Sequence, residues 1–114
     1  IFLNPEVDKV EGAKTAGAHR IELYTGPYAE EYANARTQPQ NFRLFNDYKN
    51  TAKAASAIGL ELNAGHDLNL HNLRFFKLHI PQLKEVSIGH ALVCDAIYFG
   101  LENTIQLYKR QLQD

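Results

Sequence analysis

The sequence predicts an α/β fold, the C-terminal half of a (β/α)₈ TIM barrel made of four βα units, and three observations lead there. Four short apolar segments, Ile1 to Leu3, Arg20 to Tyr24, Leu60 to Ala64 and Glu85 to Ile88, are each followed by a longer helical pattern. That rhythm belongs to a parallel sheet. The chain has 114 residues, roughly half of the ~250 in a complete barrel. The strands also alternate: Ile21 and Leu23 interleave with Arg20, Glu22 and Tyr24, Leu60, Leu62 and Ala64 with Glu61, Asn63 and Gly65, and Ser87 and Gly89 lie opposite Val86 and Ile88. Period two sorts these residues onto an apolar and a polar face. A flavodoxin-like open sheet, covered by helices on both faces, would instead carry nearly continuous apolar strands.

Each element follows from its local pattern. Ile1-Phe2-Leu3 reads as a strand already under way, with no initiator Met, so 1–114 is expected to be a partial barrel domain lacking its N-terminal half. Pro5 to Ala16 carries Val7, Val10 and Ala13 on one helical face and stops at Gly17. The connection from Pro27 to Ile58 is broken by a loop at Thr37-Gln38-Pro39-Gln40, after which Phe45, Tyr48, Ala52 and Ala55 form a stripe ending at Gly59. A short helix spans Asn72 to His79 before Pro81. From Ala91 to Gln111 the residues Ile97, Leu101, Ile105, Tyr108 and Leu112 share one helical face, with Gly100 as a place where the helix divides.

Composition narrows the function. A hydrophobic fraction of 45% supports a packed core, and a formal charge of −1 provides no field to gather nucleic acid or anionic lipid. No segment reaches the length of a membrane span. The single Cys94 excludes an internal disulfide, suits a cytoplasmic protein and reads as a small buried hydrophobe. Phe75 and Phe76 read as packing residues, and His19, His71 and His79 as surface or capping residues.

In barrels of this kind the chemistry sits at the C-terminal ends of the strands. Here those positions are Asn4, Glu22 with Thr25-Gly26, Asn63 with Gly65-His66, and Gly89-His90. A Glu pointing inward is costly to desolvate unless paired or functional; Arg20 is a possible structural partner, and burial would raise the carboxyl pKa enough for proton donation near neutrality. His66 can move protons at the barrel mouth. His90 opens the last helix, whose first amides favour an anion. His66, Asp67 and His71 lie close in sequence but match no zinc spacing.

Three segments, Gly17-Ala18-His19-Arg20-Ile21-Glu22-Leu23-Tyr24-Thr25-Gly26-Pro27-Tyr28-Ala29, Leu62-Asn63-Ala64-Gly65-His66-Asp67-Leu68-Asn69 and Glu85-Val86-Ser87-Ile88-Gly89-His90-Ala91-Leu92, resemble the pyridoxine 5′-phosphate synthase family in order and spacing. The resemblance implies a transferase of vitamin B6 synthesis. It would condense 1-deoxy-D-xylulose 5-phosphate with 3-amino-2-oxopropyl phosphate, with no metal or organic cofactor, as a cytoplasmic homo-octamer. It implies that His66 is the proton donor, that Glu22 stabilises the transition state, and that Gly89 and His90 bind phosphate. Asp67 stands where some members place a substrate-binding glycine, a contact that its main-chain amide would preserve. The family's other acid/base residues, a histidine and a glutamate, lie on earlier strands, so this segment alone is expected to be inactive.

Two other readings remain. A noncatalytic half-barrel would keep phosphate binding at Gly89-His90 without chemistry. A different phosphate-handling barrel enzyme is the third, although no Lys stands at any of the four strand ends for Schiff-base chemistry.

Overall fold

The computed structural model describes residues 2–35 and 43–113. Its elements alternate as expected: β1 (Phe2–Leu3), α1 (Val7–Thr15), β2 (Arg20–Tyr24), α2 (Gly26–Ala35), α3 (Arg43–Ala57), β3 (Glu61–Gly65), α4 (Leu73–His79), β4 (Leu83–Ser87), α5 (His90–Phe99) and α6 (Leu101–Leu112). The four strands form one parallel sheet in the order β1-β2-β3-β4. The loop expected at Thr37 to Gln40 lies outside the described residues.

Both α1 and α3 hand over to a strand through the same left-handed turn. Gly17 (φ 93°) and Gly59 (φ 81°) sit just past the helix ends. The amides of the next residues, Ala18 and Leu60, reach back to the carbonyls of Ala13 (3.1 Å) and Ala55 (2.9 Å). This double-bonded ending requires a positive φ, which glycine adopts without a Cβ clash. Of the stripe expected on α1, Val10 and Ala13 are buried, whereas Val7 is exposed.

The alternation within the strands becomes two different faces. Ile21, Leu23, Leu62 and Ala64 are at most 1% exposed beneath the helices, while on the opposite face Arg20, Glu61, Glu85 and Ser87 are exposed and Glu22 and Asn63 half-buried. One face of the sheet is therefore covered and the other is open, as a barrel interior requires and a doubly wound sheet does not. β4 begins two residues earlier than expected, at Leu83, and its register slips between Leu62↔Leu83 and Asn63↔Glu85. Such an irregularity bends a strand locally.

The covered side is built on aromatic rings. Tyr28 packs on Phe76 (4.9 Å between centroids) and Phe45 (5.5 Å), and the stripe Phe45, Tyr48, Ala52 and Ala55 is buried as expected. The buried hydroxyls are satisfied. Tyr28 Oη donates to the Asn72 carbonyl at 2.5 Å, while Tyr48 Oη donates to the Tyr24 carbonyl at 2.5 Å and accepts from the Tyr28 amide at 3.3 Å. Burial pushes both phenols above the ordinary tyrosine pKa, so they remain donors.

Two expectations for the C-terminal region are corrected. The single face from Ile97 to Leu112 does not exist, because Gly100 (φ 81°) separates α5 from α6 and turns the chain. Tyr108 is buried and Leu112 half-buried, but Ile97 is 77% and Leu101 59% exposed. Cys94 is likewise exposed rather than buried, since it lies on α5, none of whose residues is fully buried. The two helices are joined by Tyr108 Oη donating to Asp95 Oδ2 at 2.7 Å. No helix among the described residues is long and apolar enough to cross a membrane.

Candidate active site

Parallel strands finish at the same end of the sheet, so the tips of β2, β3 and β4 share one rim. A cleft of about 430 Å³ there is lined by Glu22, His66, Asp67, Ser87, Ile88, Gly89 and His90. Every residue singled out for catalysis or phosphate binding in the sequence is on that wall. A larger hollow of about 590 Å³ adjoins it, lined by Tyr24, Gly26, Pro27, Glu30, Glu31, Asn34 and Asp67. Asp67 is common to both; only the smaller cleft holds imidazoles beside a helix start, which makes it the better candidate for proton transfer to an anionic ligand.

Glu22 reaches the cleft from the open face of β2. Its Oε1 accepts a hydrogen bond from Ser87 Oγ at 3.1 Å. Gly65 lies against the carboxylate: a Cβ there would stand 3.0 Å from Glu22 Cδ, so a larger residue would press on the acid. The alternative pairing with Arg20 does not occur. Arg20 instead binds Glu61 and, at 3.0 Å, Glu85, one layer below the rim. Those contacts, to Glu61 first and Glu85 second, raise the guanidinium pKa above its ordinary value.

His66 and Asp67 form the turn beyond β3, and both are left-handed, with φ of 65° and 80°. Two successive side-chain-bearing residues in this region store strain that the surroundings must hold. The His66 amide donates to the Ser87 carbonyl at 3.3 Å, and its carbonyl accepts from the Thr25 hydroxyl. Its ring meets Tyr24 edge-on at 5.1 Å, with Nδ1 3.4 Å from Asp67 Oδ2. A φ of 80° is one that glycine adopts most readily, so the backbone at Asp67 would accept a glycine without strain.

Gly89 precedes the first turn of α5 and His90 opens it. The unbonded amides of a helix start attract anions, and these two residues place that start on the cleft wall. His90 Nε2 lies 3.6 Å from Cys94 Sγ, one turn along.

Other candidates fall elsewhere. Asn4 and Asn63 do not line the cleft; Asn63 Oδ1 is buried with no hydrogen-bond partner among the described residues. His71 lies on a separate small hollow with Asn69 and Asn72. No group of three or more His, Cys, Asp or Glu residues among the described residues is arranged to hold a metal ion. Ser87 and Thr25 were not singled out for these contacts. Their partners are 65 and 41 residues away, a separation at which no local pattern gives a signal.

Known proteins resemble this chain along almost all of its length. A pyridoxine 5′-phosphate synthase from Cytophaga hutchinsonii is 52% identical over 113 residues, covering 99% of this chain and 45% of the relative. Relatives with the same name from Parabacteroides distasonis and Flavobacterium johnsoniae are 50% and 45% identical, covering 96% and 99% of this chain and 44% and 46% of their own lengths. The chain thus spans about half the length of the curated relatives it matches, and its four-stranded parallel sheet with one open face is half of a (β/α)₈ barrel. Since the family model described as pyridoxal phosphate biosynthesis protein PdxJ matches residues 1–114, the chain belongs to that family.

Proposed function

We propose that residues 1–114 form the C-terminal part of a barrel domain that acts as a pyridoxine 5′-phosphate synthase, joining 1-deoxy-D-xylulose 5-phosphate to 3-amino-2-oxopropyl phosphate. The observation that carries this reading is the meeting of Glu22, His66 and the Gly89-His90 helix start around one cleft at the strand ends. In the reaction an amine attacks a ketone, water leaves, an enol forms and closes the ring, and phosphate departs. Every one of these steps moves a proton.

His66 serves as the proton donor. Its ring is held edge-on to Tyr24 while the side chain remains 62% exposed at the cleft, accessible to a departing oxygen. Glu22, held by Ser87, stabilises the transition state electrostatically. The first amides of α5 and the His90 ring take a substrate phosphate, and the main-chain amide of Asp67 contributes a further hydrogen bond to substrate. The complete enzyme draws its remaining acid/base groups from the other half of the barrel, works in the cytoplasm and assembles as a homo-octamer.

The test is His66→Ala in a complete barrel carrying this segment. Turnover should fall at least about 100-fold, the lower end of the usual range for a general acid, with the circular dichroism spectrum unchanged. Near-normal turnover would remove His66 from the reaction. A segment that binds inorganic phosphate but remains inactive when supplied with the other half would favour a noncatalytic half-barrel.

A further inference from the structure

Thr25, just beyond β2, is fully buried and does not line the cleft. Its amide donates to the Gly65 carbonyl at 3.1 Å, and its hydroxyl contacts both the Gly65 carbonyl, at 2.8 Å, and the His66 carbonyl. The amide hydrogen bond continues the β2–β3 ladder by one step, and the hydroxyl caps the same carbonyl from the side chain. The third contact reaches past the strand into the left-handed turn.

A trans peptide holds its C=O and the following N–H in opposite directions. Fixing the His66 carbonyl toward buried Thr25 therefore turns the Asp67 N–H away from the helix-covered side, and Asp67 lies on the cleft wall. On the other side, the Ser87 carbonyl accepts the His66 amide at 3.3 Å. With φ values of 65° and 80°, the turn has a strained backbone that could relax by rotating this peptide. The Thr25 hydroxyl opposes that rotation directly.

We propose that Thr25 is a positioning residue for substrate affinity: its hydroxyl, through the His66 carbonyl, aims the Asp67 main-chain amide into the cleft. This rests on the preceding reading, in which that amide contacts substrate. Without the hydroxyl, the His66 carbonyl loses its partner and the 66–67 peptide samples other orientations. Ground-state and transition-state binding weaken together, which raises KM more than it lowers kcat.

The experiment compares Thr25→Val, Thr25→Ser and His66→Ala in a complete barrel carrying this segment, using 1-deoxy-D-xylulose 5-phosphate and 3-amino-2-oxopropyl phosphate. Thr25→Val should raise KM for one substrate about 10-fold while changing kcat less than about 3-fold, the difference expected for one lost substrate hydrogen bond. Thr25→Ser, which keeps the hydroxyl, should restore KM to within about 2-fold. Should Thr25→Val fail to fold, Thr25→Ala is measured in its place, with the same split expected. An unchanged KM in the folded variant, or a raised KM that serine does not rescue, overturns the proposal while the parent barrel remains active and His66→Ala impaired. A parent barrel that does not turn over these two substrates overturns the proposed function itself.

Discussion

The two faces of the sheet come from the same strands but are held by different forces. On the helix side, Ile21, Leu23, Leu62 and Ala64 sit against Tyr28, Phe45, Tyr48 and Phe76, so area removed from water dominates. On the open side, Arg20 with Glu61 and Glu85 makes one polar layer, and Glu22 with Ser87 makes the next, nearer the rim. The lower layer couples two carboxylates to a cation. In the upper layer, Glu22 has a neutral hydroxyl. Stability therefore resides on one side, while the side left open to ligand keeps an acid whose charge no described cation neutralises by direct contact. That separation lets the rim carry strain and charge without weakening the core.

Mutations should expose the division, beginning with the largest change. Phe76→Ala empties a ring site at the centre of the aromatic block and should cost about 3–5 kcal/mol in denaturant-measured stability. A loss below about 1 kcal/mol would show that the helix side is not the principal source of stability. Glu22→Gln should lower turnover about 100-fold, equivalent to about 2.7 kcal/mol of transition-state stabilisation. Its melting temperature should match that of the parent; a large drop would place Glu22 among the structural residues.

Tyr48→Phe sharpens the contrast further. It leaves the Tyr24 carbonyl and Tyr28 amide without their shared partner, a cost of about 1–2 kcal/mol. It also alters the alkaline response. Folding raises the pKa of Tyr28 and Tyr48 through burial, so the unfolded chain loses these protons first, at the ordinary value of 10.0. Stability should be fully present below that pH and decline above it, with a shallower slope in Tyr48→Phe. Equal slopes in urea titrations between about pH 9 and 11 would disprove the coupling. Arg20→Ala should have the smallest effect of the stability variants: its side chain is 42% exposed, and screened surface ion pairs contribute little, so the melting temperature should move less than for Phe76→Ala or Tyr48→Phe and become indistinguishable from the parent in high salt.

Wherever local chemistry decided the outcome, the sequence was readable. Period-two alternation sorted both faces of β2 and β3, Gly17 and Gly59 marked two helix ends, and the strand-end rule pointed to Glu22, His66, Gly89 and His90, which share one cleft, though it also pointed to Asn4 and Asn63, which do not line it. It failed where tertiary direction mattered. The apolar stripe through Ile97 and Leu101 carried one face across the division at Gly100, and Cys94 was placed in the core although no residue of α5 is fully buried. The hydrogen bonds of Ser87 and Thr25 were hidden because each spans two strands distant in sequence.

The strand order β1-β2-β3-β4 also bears on how the chain acquires its structure. Each strand pairs with the one made just before it: Phe2 meets Glu22, Arg20 meets Glu61 and Asn63 meets Glu85. Every loop to be closed is that of a single neighbouring unit, which keeps contacts local for a parallel sheet. Such a sheet can grow during translation, each new unit docking on the last as it leaves the ribosome. Hydrogen exchange on stalled nascent chains should find β2 protected before β4 has been synthesised, whereas protection of all strands at once would mean that the segment waits for its final helix.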